Sequence, residues 1–340
     1  NLALNILTMQ LRLIALMLVV SLTVSAQDTL FNKSDLKSVA KIFDLSFTEK
    51  EIDTLYSDVK DNLYNYQSMH KLSLNNATPL SMWQTPVVPG MQFNKVQMPV
   101  KWAAGVTAVL PVNKNELAYY SIEQLAYLLK NKKITSVALT SFFIERIKKY
   151  ADSLQCLISL TEDIAMAQAK QADAEIAAGK YKGLLHGIPY GLKDLFAVKG
   201  TKTTWGAAPY KEQVIEEDAY VYTKLKSAGA VLVAKFTLGA LAMGDYWYGG
   251  RTKNPWNLKY GSSGSSAGST SATVAGLVPF AIGTETWGSI VSPSTTCGAT
   301  GLRPTFGTIS RSGAMALSYS LDKVGPICRS AEDAAVVYFY

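Results

Sequence analysis

Two short and uninterrupted apolar runs, at residues 230–234 (AVLVA) and 277–282 (LVPFAI), limit the fold of this chain more than any other feature. Such runs are typical of strands that are buried on both faces, because a strand with one exposed face alternates apolar and polar residues. Helical patterns separate the two runs. We therefore predict an α/β fold with a mixed, mainly parallel central sheet that helices cover on both faces. With 340 residues, 48% of them hydrophobic, the chain is long enough for one large core.

Capping patterns predict where several helices begin. Ser46 and Glu49 have the spacing of a capping box. An apolar stripe follows them at intervals of three and four residues: Ile52, Leu55, Val59 and Leu63. Ser121 and Gln124 form a second capping box, and Thr135 can cap the helix after that. The first stripe predicts a small helical arm, and the later caps predict helices of the α/β region.

The chain divides into three predicted parts. Residues 27–117 combine the helical arm with a segment, 75–117, that holds five of the twelve prolines and is typical of an extended, wrapping chain. Residues 118–340 carry the α/β domain. Before both lies a predicted signal peptide at residues 1–26.

The signal peptide is predicted from its three regions. A start at Met9 gives a short basic region with Arg12, an apolar stretch at 13–24 and small residues up to a cleavage site after Ala26. The apolar stretch is shorter than the roughly 18 residues that a spanning helix needs, although a retained membrane anchor is the alternative. We expect the residues before Met9 to be upstream read-through. The protein is predicted to be exported, to the periplasm or the cell exterior, and to meet the membrane only through this signal.

Charge and cysteine content argue against several classes of function. The net charge of +7 comes from short basic clusters without interleaved aromatic residues, so we predict no nucleic-acid partner. The three cysteines (Cys156, Cys297 and Cys328) have no metal or redox spacing, and the only histidines are His70 and His186. These residues cannot supply a usual zinc or iron site, and we predict neither a metal nor a cofactor.

Ten consecutive small residues, GSSGSSAGST at 261–270, form the only low-complexity stretch. A flexible linker is one interpretation, but the stretch lies between segments with core patterns. A phosphate-binding loop would need a Lys followed by Ser or Thr, which is absent. The stretch also contains G-x-S-x-G, the nucleophile elbow of α/β-hydrolases, with Ser266 as nucleophile. That fold places its histidine after the serine, whereas both histidines of this chain precede it.

Because histidine is scarce, a serine nucleophile in this chain needs another base. A lysine can serve if burial lowers its pKa. The segment HGIPYGLKD at 186–194 is apolar and strand-like, and it places Lys193 at the end of a buried strand. The alternative interpretation is an ordinary surface lysine at a strand end.

Three blocks of this sequence resemble those of the amidase signature family in order and spacing. They are HGIPYGLKD at 186–194, SGSSAGS at 263–269 and GTETWGSIVSPS at 283–294. The resemblance extends from about Ser121 to the end of the chain, and it implies the amidase signature fold for residues 118–340. The helical pattern that starts at Ala331 stops at residue 340 without a closing signal, so we expect this domain to be C-terminally incomplete.

The resemblance implies a role for each residue of a Ser-Ser-Lys triad. Ser289 falls on the nucleophile, Ser265 on the proton relay, preceded by a cis peptide bond, and Lys193 on the base. The backbone N–H groups of Thr286, Trp287, Gly288 and Ser289 fall on the oxyanion-binding positions. The implied activity is hydrolysis of a carboxylic or peptide amide through an acyl-enzyme, with a small-molecule or peptide amide as the partner. Such a Lys193 must lose about three pKa units to be neutral near pH 7.

Some positions depart from the family pattern. Trp287 replaces a frequent glycine, Glu285 replaces a common aspartate, and Ser263 and Ala267 replace glycines of the serine-rich block. Thr237 and Ala240 stand where many relatives carry Asn and Glu. Two alternatives therefore stay open: the amidotransferase subunit that releases ammonia from glutamine for tRNA-dependent amidation, and a non-catalytic ligand-binding member whose pocket Trp287 blocks. The sequence predicts no oligomeric state.

Overall fold

The computed structural model describes residues 31–73, 90–92, 96, 100, 102 and 105–340. The chain forms two compact units, Asn1–Met98 and Pro99–Tyr340. The predicted signal peptide at 1–26 lies outside the described residues, as do residues 75–89 of the Pro-rich segment. In the described ranges, no helix has both the length and the apolar character required to cross a membrane.

The described part of the first unit contains two helices, α1 (Lys33–Ile42) and α2 (Glu49–His70). The predicted stripe of α2 is its less exposed face, with Ile52 buried. The predicted cap of α2 is wrong by two residues. Thr48, not Ser46, is the N-cap, because its hydroxyl accepts the N–H of Glu51 at 3.3 Å while Glu51 Oε2 accepts the N–H of Thr48 at 2.7 Å.

The second unit contains the remaining helices and all of the strands of the described residues. In chain order they are α3 (Ile122–Lys130), α4 (Ser136–Leu154), β1 (Leu157–Leu160), α5 (Glu162–Ala177), β2 (Pro189–Lys193), α6 (Tyr220–Ser227), β3 (Val231–Phe236), β4 (Tyr246–Trp247), β5 (Gly250–Arg251), β6 (Lys253–Asn254), β7 (Asn257–Gly261), α7 (Ala267–Val274), β8 (Phe280–Glu285), α8 (Val291–Cys297), β9 (Thr300–Gly301), β10 (Lys323–Cys328) and α9 (Ala331–Phe339). Short 3₁₀ helices lie at Lys114–Tyr119, Ala208–Tyr210 and Ala240–Ala242.

Two predicted caps of this unit are present. Ser121 and Gln124 form a complete capping box at the start of α3, and the Thr135 hydroxyl accepts the N–H of Ala138 at 3.1 Å at the start of α4. The unit begins at Pro99, earlier than the predicted boundary at residue 118. Trp102 and Ala108 pack against the hydrophobic core of this unit, and Leu117 of the 3₁₀ helix before α3 is buried in it, so the segment before residue 118 belongs to the same unit.

The central sheet has six strands in the order β1-β3-β2-β8-β10-β9. β2 pairs in parallel with β3 and β8, while β1 is antiparallel to β3, and β10 is antiparallel to both β8 and β9. It follows that β3, β2, β8 and β9 run in one direction, and β1 and β10 in the other. The prediction of a mixed sheet is confirmed, and two of its five strand pairs, β2 with β3 and β2 with β8, are parallel. The two predicted apolar runs correspond to β3 and β8, which begin one and three residues later than the runs do.

The two faces of the central sheet pack against two different hydrophobic clusters. Tyr190 and Leu192 of β2 pack with residues of α3 and α6, whereas Val231 and Val233 of β3 pack with residues of α4 and α5. Both faces of the sheet are thus covered by helices. Gly191 lies between Tyr190 and Leu192, and a Cβ there would be 2.1 Å from the Phe236 ring, so β2 and β3 need a glycine at this contact.

A β-bulge in β3 changes which side chains face each cluster. Tyr190 is opposite Leu232, but Gly191 is opposite Ala234, so Val233 is an extra residue in β3. Beyond the bulge, Lys235 reaches Asp194, which directly follows β2, and the two form an ion pair of 2.8 Å. Both side chains are fully buried.

Candidate active site

Lys193 is the last residue of β2, and its side chain is fully buried. Its Nζ lies within hydrogen-bond distance of three hydroxyls: Ser265 Oγ at 2.8 Å, Thr284 Oγ1 at 3.0 Å and Ser266 Oγ at 3.2 Å. Burial lowers the pKa of Lys193 to about 7, and the more distant carboxylates of Asp322 and Glu285 oppose that shift. Near neutral pH a substantial fraction of this amine is therefore uncharged and can accept a proton.

Ser265 lies in the loop that leads into α7, and it is 1% exposed. The Gly264–Ser265 peptide bond is cis, as the family resemblance implies. A Cβ on Gly264 would lie 1.8 Å from the carbonyl oxygen of Gly244, so only glycine fits against that backbone. The loop therefore holds the Ser265 hydroxyl against Lys193.

The neighbouring hydroxyl of Ser266 is bound to β8. It donates to the carbonyl oxygen of Thr284 at 3.0 Å and accepts the N–H of Thr284 at 3.2 Å. Ser266 is also fully buried. These contacts do not fit the α/β-hydrolase interpretation, in which Ser266 would be an exposed nucleophile.

Ser289 lies in the short loop between β8 and α8 and is partly exposed. Its carbonyl oxygen accepts the N–H of Ser266 at 3.0 Å, which joins this loop to the Ser265 loop. Within the described part of the chain, its hydroxyl forms no hydrogen bond. The structure therefore brings Lys193 and Ser265 into direct contact and places the Ser289 backbone beside them, with no hydrogen bond between the hydroxyls of Ser265 and Ser289.

Glu285, the last residue of β8, holds the Ser289 loop from the other side. Its Oε2 accepts the N–H groups of Ile290 and Val291 at 2.9 Å each, and its Oε1 is 3.4 Å from Arg303. Glu285 is 1% exposed. The carboxylate thus closes the loop between the end of β8 and the start of α8.

The predicted oxyanion residues occupy the tip of this loop. The Thr286 hydroxyl donates to Asp322 at 2.6 Å, and the Thr286 carbonyl accepts from Lys323 Nζ at 3.0 Å. Trp287 is 83% exposed, and Gly288 is partly exposed. None of the other described residues accepts a hydrogen bond from the backbone N–H groups of Trp287, Gly288 or Ser289. These donors are free to meet a ligand oxygen.

A cavity of about 530 Å³ adjoins the site. Its wall includes Thr284, Phe306, Arg311, Tyr319, Asp322 and Lys323. It meets the site at Thr284, whose hydroxyl lies 3.0 Å from Lys193 Nζ. Trp287, the side chain suspected of blocking the pocket, does not line this cavity and is largely surrounded by solvent.

The histidines and cysteines, which are candidate metal ligands by residue type, do not form a metal site in the described residues. Across the described residues, no group of three or more His, Cys, Asp or Glu side chains is placed to hold a metal ion. His186 is buried against Glu175, with 2.9 Å between Nε2 and Oε2, and burial lowers its pKa. Burial raises the pKa of Cys156 and of Cys297 to about 12, so both thiols stay protonated at neutral pH.

Two contributors were missed by sequence reasoning. Thr284 contacts the lysine through its hydroxyl, but a threonine two residues after an apolar run gives no signal of that role. Asp322, the residue directly before β10, accepts a hydrogen bond from Thr286, which is 36 residues away in sequence. Thr237, noted only as a departure from the family, is buried, with its hydroxyl 2.7 Å from that of Thr252. No signal in the sequence marks that contact.

Comparison with known proteins shows that the chain is similar to glutamyl-tRNA(Gln) amidotransferase A subunits. It is 44% identical over 220 residues to that of Coxiella burnetii (strain Dugway 5J108-111), covering 64% of this chain and 45% of the relative. The corresponding protein of Legionella pneumophila is 42% identical over 224 residues, covering 65% of this chain and 46% of the relative. The chain thus spans about half the length of the curated relatives that it matches.

The chain is also similar in structure to a solved peptide amidase. The native peptide amidase from Stenotrophomonas maltophilia superposes with a TM-score of 0.61 at 35% identity, covering 64% of this chain and 47% of that chain. The sequence model of the amidase family, described as Amidase, matches residues 138–339, which include every element of the site. From the match of more than half of its length and from the shared fold, we conclude that this chain belongs to the amidase signature family.

Proposed function

We propose that this chain carries the catalytic centre of an amidase that hydrolyses a carboxylic or peptide amide through an acyl-enzyme, with Lys193, Ser265 and Ser289 as its triad. The observation that supports this most strongly is the contact of 2.8 Å between the buried Lys193 Nζ and Ser265 Oγ. A lysine with a pKa near 7 in that position has the properties of a general base.

In the proposed reaction, the protons move along the hydroxyls. Uncharged Lys193 accepts the proton of Ser265 as Ser265 accepts the proton of Ser289, and Ser289 Oγ forms a bond to the carbonyl carbon of the amide. When the C–N bond breaks, the proton returns from Lys193 through Ser265 to the departing amine. Water then attacks the ester by the same route, which releases the carboxylic acid and restores Ser289.

The free N–H groups of the loop stabilise the intermediate in this proposal. The tetrahedral oxygen becomes negatively charged when Ser289 attacks, and the N–H groups of Trp287, Gly288 and Ser289 are candidate donors for it. Each such donor contributes about 10² to 10³ in rate in comparable enzymes. Contacts with Asp322 and Glu285 hold the two ends of the loop, so the donors need little rearrangement.

The test is the reaction of Ser289 in the complete protein. A fluorophosphonate probe should label Ser289, and Ser289→Ala should abolish both labelling and the hydrolysis of a simple aryl amide. Ser153→Ala, at an exposed position of α4, is the matched control and should keep both activities. Unchanged hydrolysis by Ser289→Ala would refute the mechanism. Absence of labelling in the unaltered protein would instead support the non-catalytic, ligand-binding alternative.

A second candidate function is supported by the names of the relatives. The proteins with 42–44% identity are amidotransferase A subunits, which suggests release of ammonia from glutamine with the same three residues. Such a protein would act with partner subunits and tRNA. A tRNA-dependent pull-down of partner subunits would favour this function, and amide hydrolysis by the isolated protein would favour the amidase.

The cellular location of the protein also distinguishes the amidase from the amidotransferase function. We propose that the protein is exported, on the basis of the apolar stretch at 13–24 and the small residues before position 27. N-terminal sequencing of the protein from its host should then begin at Gln27. Recovery of the uncleaved protein from the cytosol would contradict export and would support the amidotransferase function.

A further inference from the structure

The cavity of about 530 Å³ beside the site has an uneven distribution of charge. Its wall contains the cations Arg311 and Lys323 and the single carboxylate of Asp322. Phe306 and Tyr319 add aromatic surface, and the Arg311 guanidinium lies 5.5 Å and 5.8 Å from the centroids of these two rings. The lining is therefore partly apolar, with a positive balance among its charged groups.

Asp322 and Arg311 are already bound within the protein. The Asp322 carboxylate accepts from the Thr286 hydroxyl and from the N–H groups of Leu317 and Ser318, and it lies 3.6 Å from Arg311. Arg311 donates to the carbonyl oxygens of Ser318 and Tyr319 at 3.0 Å each. Both side chains hold the wall of the cavity together, and the positive charge of Arg311 is already opposed by the Asp322 carboxylate.

Lys323, the other cation of the cavity wall, donates fewer hydrogen bonds within the protein than Arg311 does. Its Nζ donates one hydrogen bond, to the Thr286 carbonyl at 3.0 Å, although an ammonium has three N–H groups. In the part of the chain that the structure describes, no carboxylate lies within 4.0 Å of Lys323 Nζ. The nearby Glu285 is occupied by Arg303 and by two N–H groups at the start of α8. Lys323 is thus a cation with unused donors on the wall of the cavity.

We propose that this cavity binds a carboxylate group of the substrate and that Lys323 is the residue that recognises it. The inference rests on the proposed amidase function and narrows its substrate class to amides that carry a carboxylate. Lys323 contacts Thr286, three residues before Ser289, so the carboxylate and the reacting amide lie a short distance apart. A substrate with a few methylene groups between them fits that arrangement.

The kinetic test compares glutaramate, which carries an amide and a carboxylate, with glutaramide, in which a second amide replaces the carboxylate. The complete protein should prefer glutaramate. Lys323→Gln keeps a donor for the Thr286 carbonyl but removes the charge, and it should raise the KM for glutaramate about 10- to 100-fold, the range expected for a hydrogen bond to a charged group. The KM for glutaramide should change by less than about twofold.

Two further variants complete the comparison. Lys323→Arg keeps the positive charge and should retain the preference for glutaramate. Lys259→Gln removes a charge from an exposed position of β7 and should leave both KM values unchanged. Equal changes for both amides in Lys323→Gln, or a preference of the unaltered protein for glutaramide, would overturn the proposal.

A binding measurement separates this inference from the proposed mechanism. Glutarate, titrated into Ser289→Ala by calorimetry, should bind, and the addition of Lys323→Gln should weaken its binding at least about tenfold. Glutarate binding that depends on Lys323, without hydrolysis of either amide by the unaltered protein, would retain the carboxylate site and reject the amidase function. Failure of glutarate to bind, or binding that Lys323→Gln leaves unaffected, would overturn the carboxylate site.

Discussion

Glu285 and Val291 are joined across the loop that carries Ser289, because Glu285 Oε2 accepts the backbone N–H of Val291 at 2.9 Å. One residue ends a central strand and the other begins a helix. The same oxygen also accepts the N–H of Ile290. The position of the proposed nucleophile therefore depends on a buried carboxylate that does not itself react.

Replacement of Glu285 by Ala is expected to impair both stability and reactivity. The change leaves two N–H groups without an acceptor, which should lower the unfolding free energy by about 1 to 3 kcal/mol in a denaturant titration. Labelling of Ser289 by a fluorophosphonate should slow more than tenfold, because the loosened loop no longer aligns all of its backbone N–H donors and the loss of one such donor has roughly this effect. Glu285→Asp should recover part of the labelling rate. The exposed Glu217→Ala serves as control, and an equal loss in both variants would contradict this role.

The pH dependence of the reaction should follow Lys193. Because burial lowers the pKa of Lys193 to about 7, the uncharged base predominates only above that pH. We expect kcat/KM, and the labelling rate of Ser289, to rise about tenfold per pH unit below 7 and to level off above it. A rate profile between pH 5 and pH 9 measures this. A profile that is flat through pH 7 would remove Lys193 from the role of base.

The same pKa predicts a pH dependence of stability. In the unfolded chain Lys193 has its ordinary pKa of 10.5, so between pH 7 and 10.5 the unfolded state binds a proton that the folded state lacks. The stability contributed by this residue therefore rises with pH in that window. Relative to Lys193→Met, the unaltered protein should gain roughly 4 kcal/mol between pH 7 and pH 10. Urea titrations of both proteins at several pH values test this, and a constant difference would contradict it.

The buried pair of Asp194 and Lys235 supplies a prediction about folding. Burial raises the pKa of Asp194 and lowers that of Lys235, while their contact opposes both shifts. Asp194→Ala should lower the unfolding free energy by about 3 to 5 kcal/mol, because it leaves an unpaired buried ammonium. The double variant Asp194→Leu/Lys235→Met should lose less than the single variant. Thermal unfolding measures both variants, and a loss in the double variant as large as that in Asp194→Ala would contradict the coupling of the two charges.

Much of the fold follows from local patterns. The apolar runs predicted β3 and β8 because strands buried on both faces must be apolar throughout, and the caps at Ser121 and Thr135 are local in the chain. The cap of α2 was misplaced because Ser46 and Thr48 both have a glutamate three residues later, and only packing selects between them. The bulge in β3 left no signal, since the three residues that form it, Leu232, Val233 and Ala234, are all apolar.

Only part of the candidate site could be predicted from the sequence. Lys193, Ser265 and Ser289 were predicted from blocks whose order and spacing resemble those of the family, and the structure places their segments together. The roles of Thr284, Asp322 and Lys323 could not be predicted, because each depends on contacts between residues that are far apart in sequence. Such contacts are set by the order of the strands, which no local pattern specifies.

The cavity wall and the base come from different parts of the chain. Lys193 ends β2, deep in the sheet, whereas most of the wall is formed by the segment 306–319, which precedes β10. Mutations in that segment can change the shape and charge of the pocket without touching the lysine or its three hydroxyl contacts. Substitutions in this segment can therefore alter which ligands fit the cavity, while the hydroxyl contacts of Lys193 are inherited unchanged.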